Sequence, residues 1–126
     1  MNLLLDTHAF LWWLADDAGL SSAARRAIAE PSAIVHVSAA SLWEIAIKRA
    51  LGKLEVESPD LAAEIPANGF VELPITGRHA LAAGALPRHH DDPFDRMLVA
   101  QALSEDLVLV TRDPAVDFYG VPTLAA

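Results

Sequence analysis

Near its C-terminal end the sequence contains the run Leu107-Val108-Leu109-Val110-Thr111, which is the clearest strand in the chain. Every position before the threonine is apolar, and strands that are apolar on both faces are typical of parallel sheets covered by helices on each side. The shorter runs Leu3–Leu5 and Ile34–Val37 have the same character, and helical stretches lie between them. This alternation of strands and helices predicts an α/β fold with a parallel sheet.

Helix caps, helix breakers and β-branched runs place the remaining elements. Two further short strands are predicted at Val71–Leu73 and, at an edge of the sheet, Val121–Leu124. The predicted helices are Thr7–Leu14, Ser21–Ala29, one from a cap at Ser38 or Ser41 to about Leu51, one opened by Ser58-Pro59 and closed near Asn68-Gly69, one from Thr76 toward Gly84, and Phe94–Leu103 after Asp92-Pro93.

The composition indicates one domain over residues 1–126, with 53% hydrophobic and 21% charged residues. Cysteine is absent, which excludes disulfides and thiolate metal sites. No basic segment precedes an apolar stretch, and no apolar run approaches the ~20 residues of a membrane-spanning helix, so we expect a cytoplasmic protein. The net charge of −8 repels phosphate, so a nucleic-acid partner would require cations bound among the acids.

Four acidic residues occupy related places in these predicted elements. Asp6 directly follows the first strand, and Asp113 follows the last long strand. Glu44 lies on the helix behind the second strand, and Asp95 lies in the first turn of the helix that Asp92-Pro93 opens. Ligands of open parallel sheets bind beyond the carboxyl ends of the strands, so the four side chains are predicted to converge at one edge.

Carboxylates that are crowded together repel one another unless a cation lies between them. In a chain without cysteine, a cluster of carboxylates fits a hard, oxygen-binding ion, which points to Mg²⁺ or Mn²⁺. Such an ion can lower the pKa of a water and stabilise a leaving oxygen at phosphorus. The cluster therefore indicates hydrolysis of phosphodiester bonds.

Each acid also has a purely local explanation. Asp6 could end a strand and cap the next helix, and Ser41-Leu42-Trp43-Glu44 matches a helix-capping box. Asp95 suits the first turn of a helix capped by Asp92, and Asp113-Pro114 is an ordinary turn. The placement of all four acids at one predicted edge favours a shared site.

Four segments, in this order, resemble the PIN-domain nucleases and, among them, the VapC toxins of toxin–antitoxin pairs. They are Leu4-Leu5-Asp6-Thr7-His8, Ser38-Ala39-Ala40-Ser41-Leu42-Trp43-Glu44-Ile45-Ala46-Ile47-Lys48, Asp92-Pro93-Phe94-Asp95-Arg96-Met97-Leu98-Val99-Ala100-Gln101-Ala102 and Leu109-Val110-Thr111-Arg112-Asp113. The resemblance implies a three-layer α/β/α sandwich around a parallel sheet of about five strands. It also implies RNA cleavage with Mg²⁺ or Mn²⁺, a homodimer, inhibition by a small antitoxin protein, and hetero-oligomers with that antitoxin.

The resemblance assigns the catalytic and metal-binding acids to Asp6, Glu44, Asp95 and Asp113. Asp117 also lies near the fourth position, which stays open between it and Asp113. Arg96 and Arg112 stand beside proposed ligands and are the candidate RNA phosphate contacts. The residues that could orient the carboxylates by hydrogen bonds, or could only cap helices, are Thr7, Ser38, Asp92, Thr111 and Asp117.

Two other groups of residues invite a functional interpretation. The stretch His89-His90-Asp91-Asp92 looks like a metal cluster, but adjacent side chains on a loop point apart, so we interpret it as a solvated loop rather than a zinc site. Trp12 and Trp13 point about 100° apart on a helix, so one of them is expected to face a partner or a dimer mate.

Three other functions fit the sequence less well. An aspartyl-nucleophile phosphatase needs a second aspartate two residues after Asp6, where this chain has His8. It also needs a lysine near the last strands, which is missing here. A receiver-like acidic Mg²⁺-binding module also needs a late lysine, and no lysine follows Lys53. A non-catalytic PIN-like scaffold is disfavoured because all four acids are intact.

Overall fold

The structure is a computed structural model that describes residues 1–126. Its strands are β1 (Asn2–Leu5), β2 (Ile34–Ser38), β3 (Val71–Leu73), β4 (Val108–Thr111) and β5 (Thr123–Ala125). Its helices are α1 (Thr7–Leu14), α2 (Ser22–Ala29), α3 (Ala39–Ala50), α4 (Leu61–Ala67), α5 (Gly77–Ala85) and α6 (Pro93–Glu105), and a 3-10 helix spans Pro114–Tyr119.

The strands form one all-parallel sheet in the order β3-β2-β1-β4-β5. The first strand of the chain is the central one, with Leu4 aligned to His36 on one side and to Leu109 on the other. Parallel neighbours require crossover connections, and helices supply them here. The predicted α/β fold with a five-stranded parallel sheet is confirmed.

Alternation along β1 explains how two helical layers attach to the sheet. Leu3 and Leu5 face one core, which includes Phe10 of α1 and Ile65 of α4. Leu4 faces the opposite core, which is formed largely by α6 and includes Leu98. All three leucines of β1 are fully buried. Burial of this strand on both faces therefore holds its end, and Asp6 after it, in a fixed place.

The boundaries of the fourth helix and of the last strand differ clearly from the prediction, and one short element was not predicted. The helix predicted to open at Ser58-Pro59 begins at Leu61, because the Asp60 carboxylate accepts the Ala63 N–H at 3.2 Å and caps it. The last strand is Thr123–Ala125 rather than Val121–Leu124, since Val121 packs into the core beside α6. The 3-10 helix was not predicted.

The helix α3 starts from Ser38, whose hydroxyl oxygen accepts the Ala40 N–H at 3.0 Å. The alternative cap at Ser41 is therefore wrong. None of the helices in the molecule is both long and apolar enough to span a membrane.

Candidate active site

One pocket at the carboxyl ends of the strands contains all four predicted acids, Asp6, Glu44, Asp95 and Asp113. Its volume is about 220 Å³, and ten residues line it, of which one is hydrophobic. The other lining residues include Thr7, His8, Trp12, Lys48, Asp92 and Arg112. The geometry thus brings together acids that lie on four separate segments of the chain.

Asp6 is held by the start of α1. Its carboxylate accepts the Ala9 N–H at 2.8 Å and so serves as the helix N-cap. Burial raises the pKa of Asp6 above its usual value, although the hydrogen bonds from Ala9 and Thr111 oppose that rise. Asp6 therefore caps α1 and also lines the pocket.

Glu44 is buried on the inner side of α3, and each of its oxygens has a partner. The Thr7 hydroxyl donates to Oε1 at 2.6 Å, and Lys48 Nζ donates to Oε2 at 2.6 Å. The same Thr7 oxygen lies 3.1 Å from the Ser41 hydroxyl. Glu44 does not take part in a capping box, because the cap of α3 is Ser38, six residues earlier in the chain.

Asp95 lies in the first turn of α6, just after its cap. The Asp92 carboxylate accepts the N–H groups of Phe94 at 2.8 Å and of Asp95 at 3.1 Å, so Asp92 is the N-cap. Burial, and next the charge of Asp92, raise the pKa of Asp95 to about 7. A buried carboxyl with such a pKa beside other acids is typical of a functional site.

Asp113 has the opposite character. Its carboxylate accepts the Ala115 N–H at 2.9 Å and caps the 3-10 helix, and this bond is the main reason that the pKa of Asp113 is lowered. The Thr111 hydroxyl oxygen accepts the Asp113 N–H at 3.1 Å, which helps to fix the turn after β4. Asp117, the alternative fourth acid, is exposed, and its carboxylate accepts a hydrogen bond from the Thr123 hydroxyl at 3.2 Å outside the pocket.

His90 joins the acids, which the sequence reading missed. Its Nε2 lies 2.9 Å from Asp113 Oδ2 and 3.2 Å from Asp95 Oδ2. Burial lowers the pKa of His90, but the hydrogen bond to Asp113 and the nearby carboxylate charges outweigh burial and raise it. The expectation that adjacent loop side chains point apart holds, since His89 instead packs against Phe118 and Tyr119. The interpretation of the whole loop as solvated was wrong for His90.

Two further residues proposed to serve the site lie elsewhere. The Ser38 hydroxyl donates to Gln101 Oε1 at 2.5 Å in the interior, between α3 and α6. Arg96 does not line the pocket, and its guanidinium donates to the carbonyl oxygens of Ala83, Leu86, Pro87 and His90. The structure therefore directs the donors of Arg96 at backbone carbonyls outside the pocket, which disfavours the predicted phosphate contact.

Arg112 lines the pocket, but it also has structural partners. Its guanidinium donates to the carbonyl oxygens of Ala126 and Gly19 and lies over the Trp12 ring, 4.5 Å from the centroid. Trp13 donates from Nε1 to the Asn68 side chain at 3.1 Å. Both tryptophans are therefore engaged within the chain. Lys48 is the other cation that lines the pocket, and its only side-chain partner is Glu44, at 2.6 Å.

The donor set fits a hard divalent cation. Ligand atoms of His90, Asp95 and Asp113 lie within 4.8 Å of one another, and the remaining groups that face the pocket are mainly carboxylates. The pKa of Asp95 is raised first by burial and then by neighbouring carboxylates, so a cation placed among these acids would favour its charged form. Oxygen ligands in this number suit Mg²⁺ or Mn²⁺ rather than a thiolate-binding metal.

Comparisons with known proteins agree with this geometry. The PIN domain family model matches residues 3–122. A curated relative, ribonuclease VapC22 of Mycobacterium tuberculosis, is 34% identical over 114 residues, which cover 89% of this chain and 87% of that protein.

Solved structures show the same fold. The VapBC2 complex of Rickettsia felis bound to a promoter DNA fragment contains a chain that superposes with a TM-score of 0.72 at 13% identity, with 98% of both chains covered. A toxin–antitoxin complex from Klebsiella pneumoniae gives a TM-score of 0.66 at 18% identity, with 98% of this chain and 96% of that chain covered.

Proposed function

This chain belongs to the PIN-domain family, and we propose that it is a Mg²⁺- or Mn²⁺-dependent ribonuclease that acts as the toxin of a toxin–antitoxin pair. The observation that carries the proposal is the convergence of Asp6, Glu44, Asp95 and Asp113 in one pocket at the edge of the sheet. The name of the curated relative supports the choice of RNA as substrate, and the neighbouring complexes support an antitoxin partner.

The residues of the pocket divide the work. Asp6, Asp95 and Asp113 would hold the cation, since each presents carboxylate oxygen to the same space. Glu44 is neutralised by Lys48 and oriented by Thr7, so it is the acid best fixed in place. A bound divalent ion would supply the charge that stabilises the reacting phosphate and promotes ionisation of an attacking water.

Lys48 is the residue that we propose to contact the RNA phosphate. One of its ammonium donors is given to Glu44, and the others face the pocket or solvent, because the side chain is 39% exposed. This contact offsets part of the repulsion between an acidic protein and the RNA backbone. Lys48 thus takes the place that Arg96 does not fill.

The test is cleavage of RNA by the purified protein, followed by sequencing of the RNA ends. We expect cleavage with Mg²⁺ or Mn²⁺ and no cleavage with EDTA, and we expect Asp6→Asn to produce none of the new ends. The ends would also identify the RNA and the cleaved sequence. Equal cleavage by the parent and by Asp6→Asn would contradict the assignment of the pocket.

A groove next to the pocket is the surface that we propose for the antitoxin. Its volume is about 750 Å³, and it shares His8 and Trp12 with the active site. Apolar and acidic side chains both line it, among them Leu11, Leu54, Val56, Glu55, Glu57 and Asp17. An antitoxin segment with apolar and basic side chains is complementary to such a lining, and its position would obstruct access of RNA.

Charge reversal tests this surface. Glu55→Lys with Glu57→Lys should weaken binding of the antitoxin protein and leave cleavage of RNA unchanged, since both residues are exposed and outside the pocket. Undiminished binding by this double variant would remove the groove as the antitoxin site. Expression of the wild-type chain alone in the cytoplasm should arrest cell growth. Co-expression of the antitoxin should relieve that arrest.

We infer that the chain also pairs with a second copy of itself. Large apolar side chains remain exposed, including Trp43, Leu81 and Phe118. Aromatic side chains are enriched in the interfaces between protein chains. Light scattering on the purified chain should give the mass of a dimer, and a mass of 13.5 kDa at micromolar concentration would exclude it.

A further inference from the structure

We propose that His90 is a positioning residue of the metal centre, which holds Asp95 and Asp113 side by side through its Nε2–H and is not itself a ligand of the ion. The inference rests on the metal-dependent function proposed above. It concerns how the ligands are arranged rather than how RNA is cleaved.

The hydrogen bonds of His90 determine which ring nitrogen carries the hydrogen. The backbone N–H of Asp92 donates to Nδ1 at 3.0 Å, so Nδ1 presents its lone pair there. Nε2 therefore carries the hydrogen and donates it to Asp113 Oδ2 at 2.9 Å, while Asp95 Oδ2 lies 3.2 Å from the same nitrogen. A nitrogen that donates a hydrogen has no lone pair for a cation, so the ring faces these acids as a donor.

The turn before α6 makes this arrangement stiff. Asp92 caps the helix with its carboxylate and, with its own N–H, reaches back to the His90 ring. Arg96, one turn into the helix, donates to the His90 carbonyl at 3.3 Å. Rotation of the ring would break the bond to Asp92 and both carboxylate contacts, so the sequence His90-x-Asp92-x-x-Asp95 acts as one unit.

The two acids that His90 joins belong to different parts of the fold. Asp95 lies on α6, whereas Asp113 follows β4, and the His90 ring contacts both carboxylates. Like charges at this distance repel, and a shared donor reduces the repulsion. A cation then encounters two carboxylates that are already close. Groups that orient metal ligands in this way typically change metal affinity about 10- to 100-fold when they are removed.

The test is Mn²⁺ binding, measured by calorimetry and by pulsed EPR on the full chain. His90→Ala should weaken Mn²⁺ binding about 10- to 100-fold. His90→Gln should recover most of the affinity, because its amide N–H can donate from nearly the position of Nε2. His89→Ala is the matched control and should bind Mn²⁺ as the parent does, since His89 packs against Phe118 and Tyr119 instead. The EPR spectrum should contain no ¹⁴N coupling that depends on His90.

Four results would overturn the inference. A ¹⁴N coupling of the parent that disappears in His90→Ala would make His90 a ligand. Unchanged affinity in His90→Ala would remove it from the site, and equal losses in the Ala and Gln variants would show that the ring shape matters rather than the donor. A parent that binds no Mn²⁺ would defeat both this inference and the metal-dependent function. Expected binding without RNA cleavage would defeat the proposed function alone.

Discussion

Two histidines in this molecule have the same hydrogen-bond pattern but different surroundings. The Nδ1 of buried His79 accepts the Thr76 N–H at 3.1 Å, and its Nε2 lies 2.9 Å from Glu105. His90 has the same pair of contacts, with Asp92 and Asp113, but a second carboxylate, Asp95, shares its Nε2. One acid balances the first histidine, whereas the second is surrounded by more acids than it can satisfy.

This difference separates a structural polar group from a functional one. A structural polar group is neutralised by the chain itself, and removing it costs stability. A functional cluster places several like charges together, and the pKa of Asp95 is raised by burial and then by the charge of Asp92. The comparison therefore predicts that changes near His79 affect folding, and that changes near His90 affect the chemistry.

The largest expected effect is on cleavage. Asp95→Asn should reduce the rate of RNA cleavage at least about 100-fold, the scale of losing one group that stabilises charge in a transition state. Glu105→Gln removes an acid from the other histidine and should leave the rate unchanged. Single-turnover assays measure the cleavage rate of both variants. Similar rates in the two would contradict the distinction between the His79 and His90 clusters.

The second effect is on stability. His79→Ala should lower the free energy of unfolding by about 2–4 kcal/mol, because it opens a cavity and leaves the Thr76 N–H without its partner. His90→Ala should cost less, because the His90 side chain is 19% exposed and its removal leaves no buried cavity, so the loss is limited to the added repulsion between Asp95 and Asp113. Urea unfolding in EDTA measures both. A larger loss for His90→Ala would mean that the acid pocket, without metal, is a stabilising region.

The third effect depends on pH, in the metal-free protein. The pKa of Asp95 is raised to about 7, mainly by burial, whereas an unfolded aspartate titrates near 3.9. The folded state therefore retains a proton that the unfolded state releases, and its stability falls as pH rises from about 4 to about 7. After allowance for solvent screening, Asp95→Asn should stabilise the protein at pH 8 by about 1–2 kcal/mol.

The same measurement contains its own control. The pKa of Asp113 is lowered, mainly by the Ala115 N–H, so its charged form stabilises the fold above the unfolded pKa. Asp113→Asn should therefore lower the melting temperature at pH 8, opposite in sign to Asp95→Asn. The stabilisation by Asp95→Asn should also shrink at pH 5.5. Changes in melting temperature of the same sign for Asp95→Asn and Asp113→Asn at pH 8 would contradict the opposite environments assigned to these two carboxyls.

The smallest effect concerns the partner of the buried histidine. Glu105 is 46% exposed, so its interaction with His79 is partly screened by water. Glu105→Gln should cost about 0.5–1 kcal/mol of stability. Thermal unfolding at low and high salt measures it, and a loss as large as that of His79→Ala would mean that the pair behaves as a buried one.

The sequence was sufficient to predict the parallel sheet and the convergence of the four acids in one pocket. Strands apolar on both faces can only be central strands of a covered sheet, and each acid was placed by its distance from such a strand or from a helix cap. These signals are local, so they are visible in one chain.

His90 and Arg96 were not predictable in the same way. Which of two adjacent histidines faces the acids depends on the turn that Asp92 closes, and no periodic pattern governs a turn. The donors of Arg96 are used by carbonyl oxygens of a loop that only the tertiary fold brings near. Asp60 and Ser58 are both good helix-capping residues. Tertiary contacts determine that Asp60 is the cap.

The central place of β1 has a consequence for the timing of synthesis. Of the four acids, Asp6 leaves the ribosome first. The strand before it, β1, can pair with β4 only after residues 108–111 have been made, and Asp113 follows them. Parallel neighbours so distant in sequence cannot pair early. A nascent chain therefore has no complete acid pocket, and a protein that destroys RNA is harmless to the message that encodes it until translation of this region has ended.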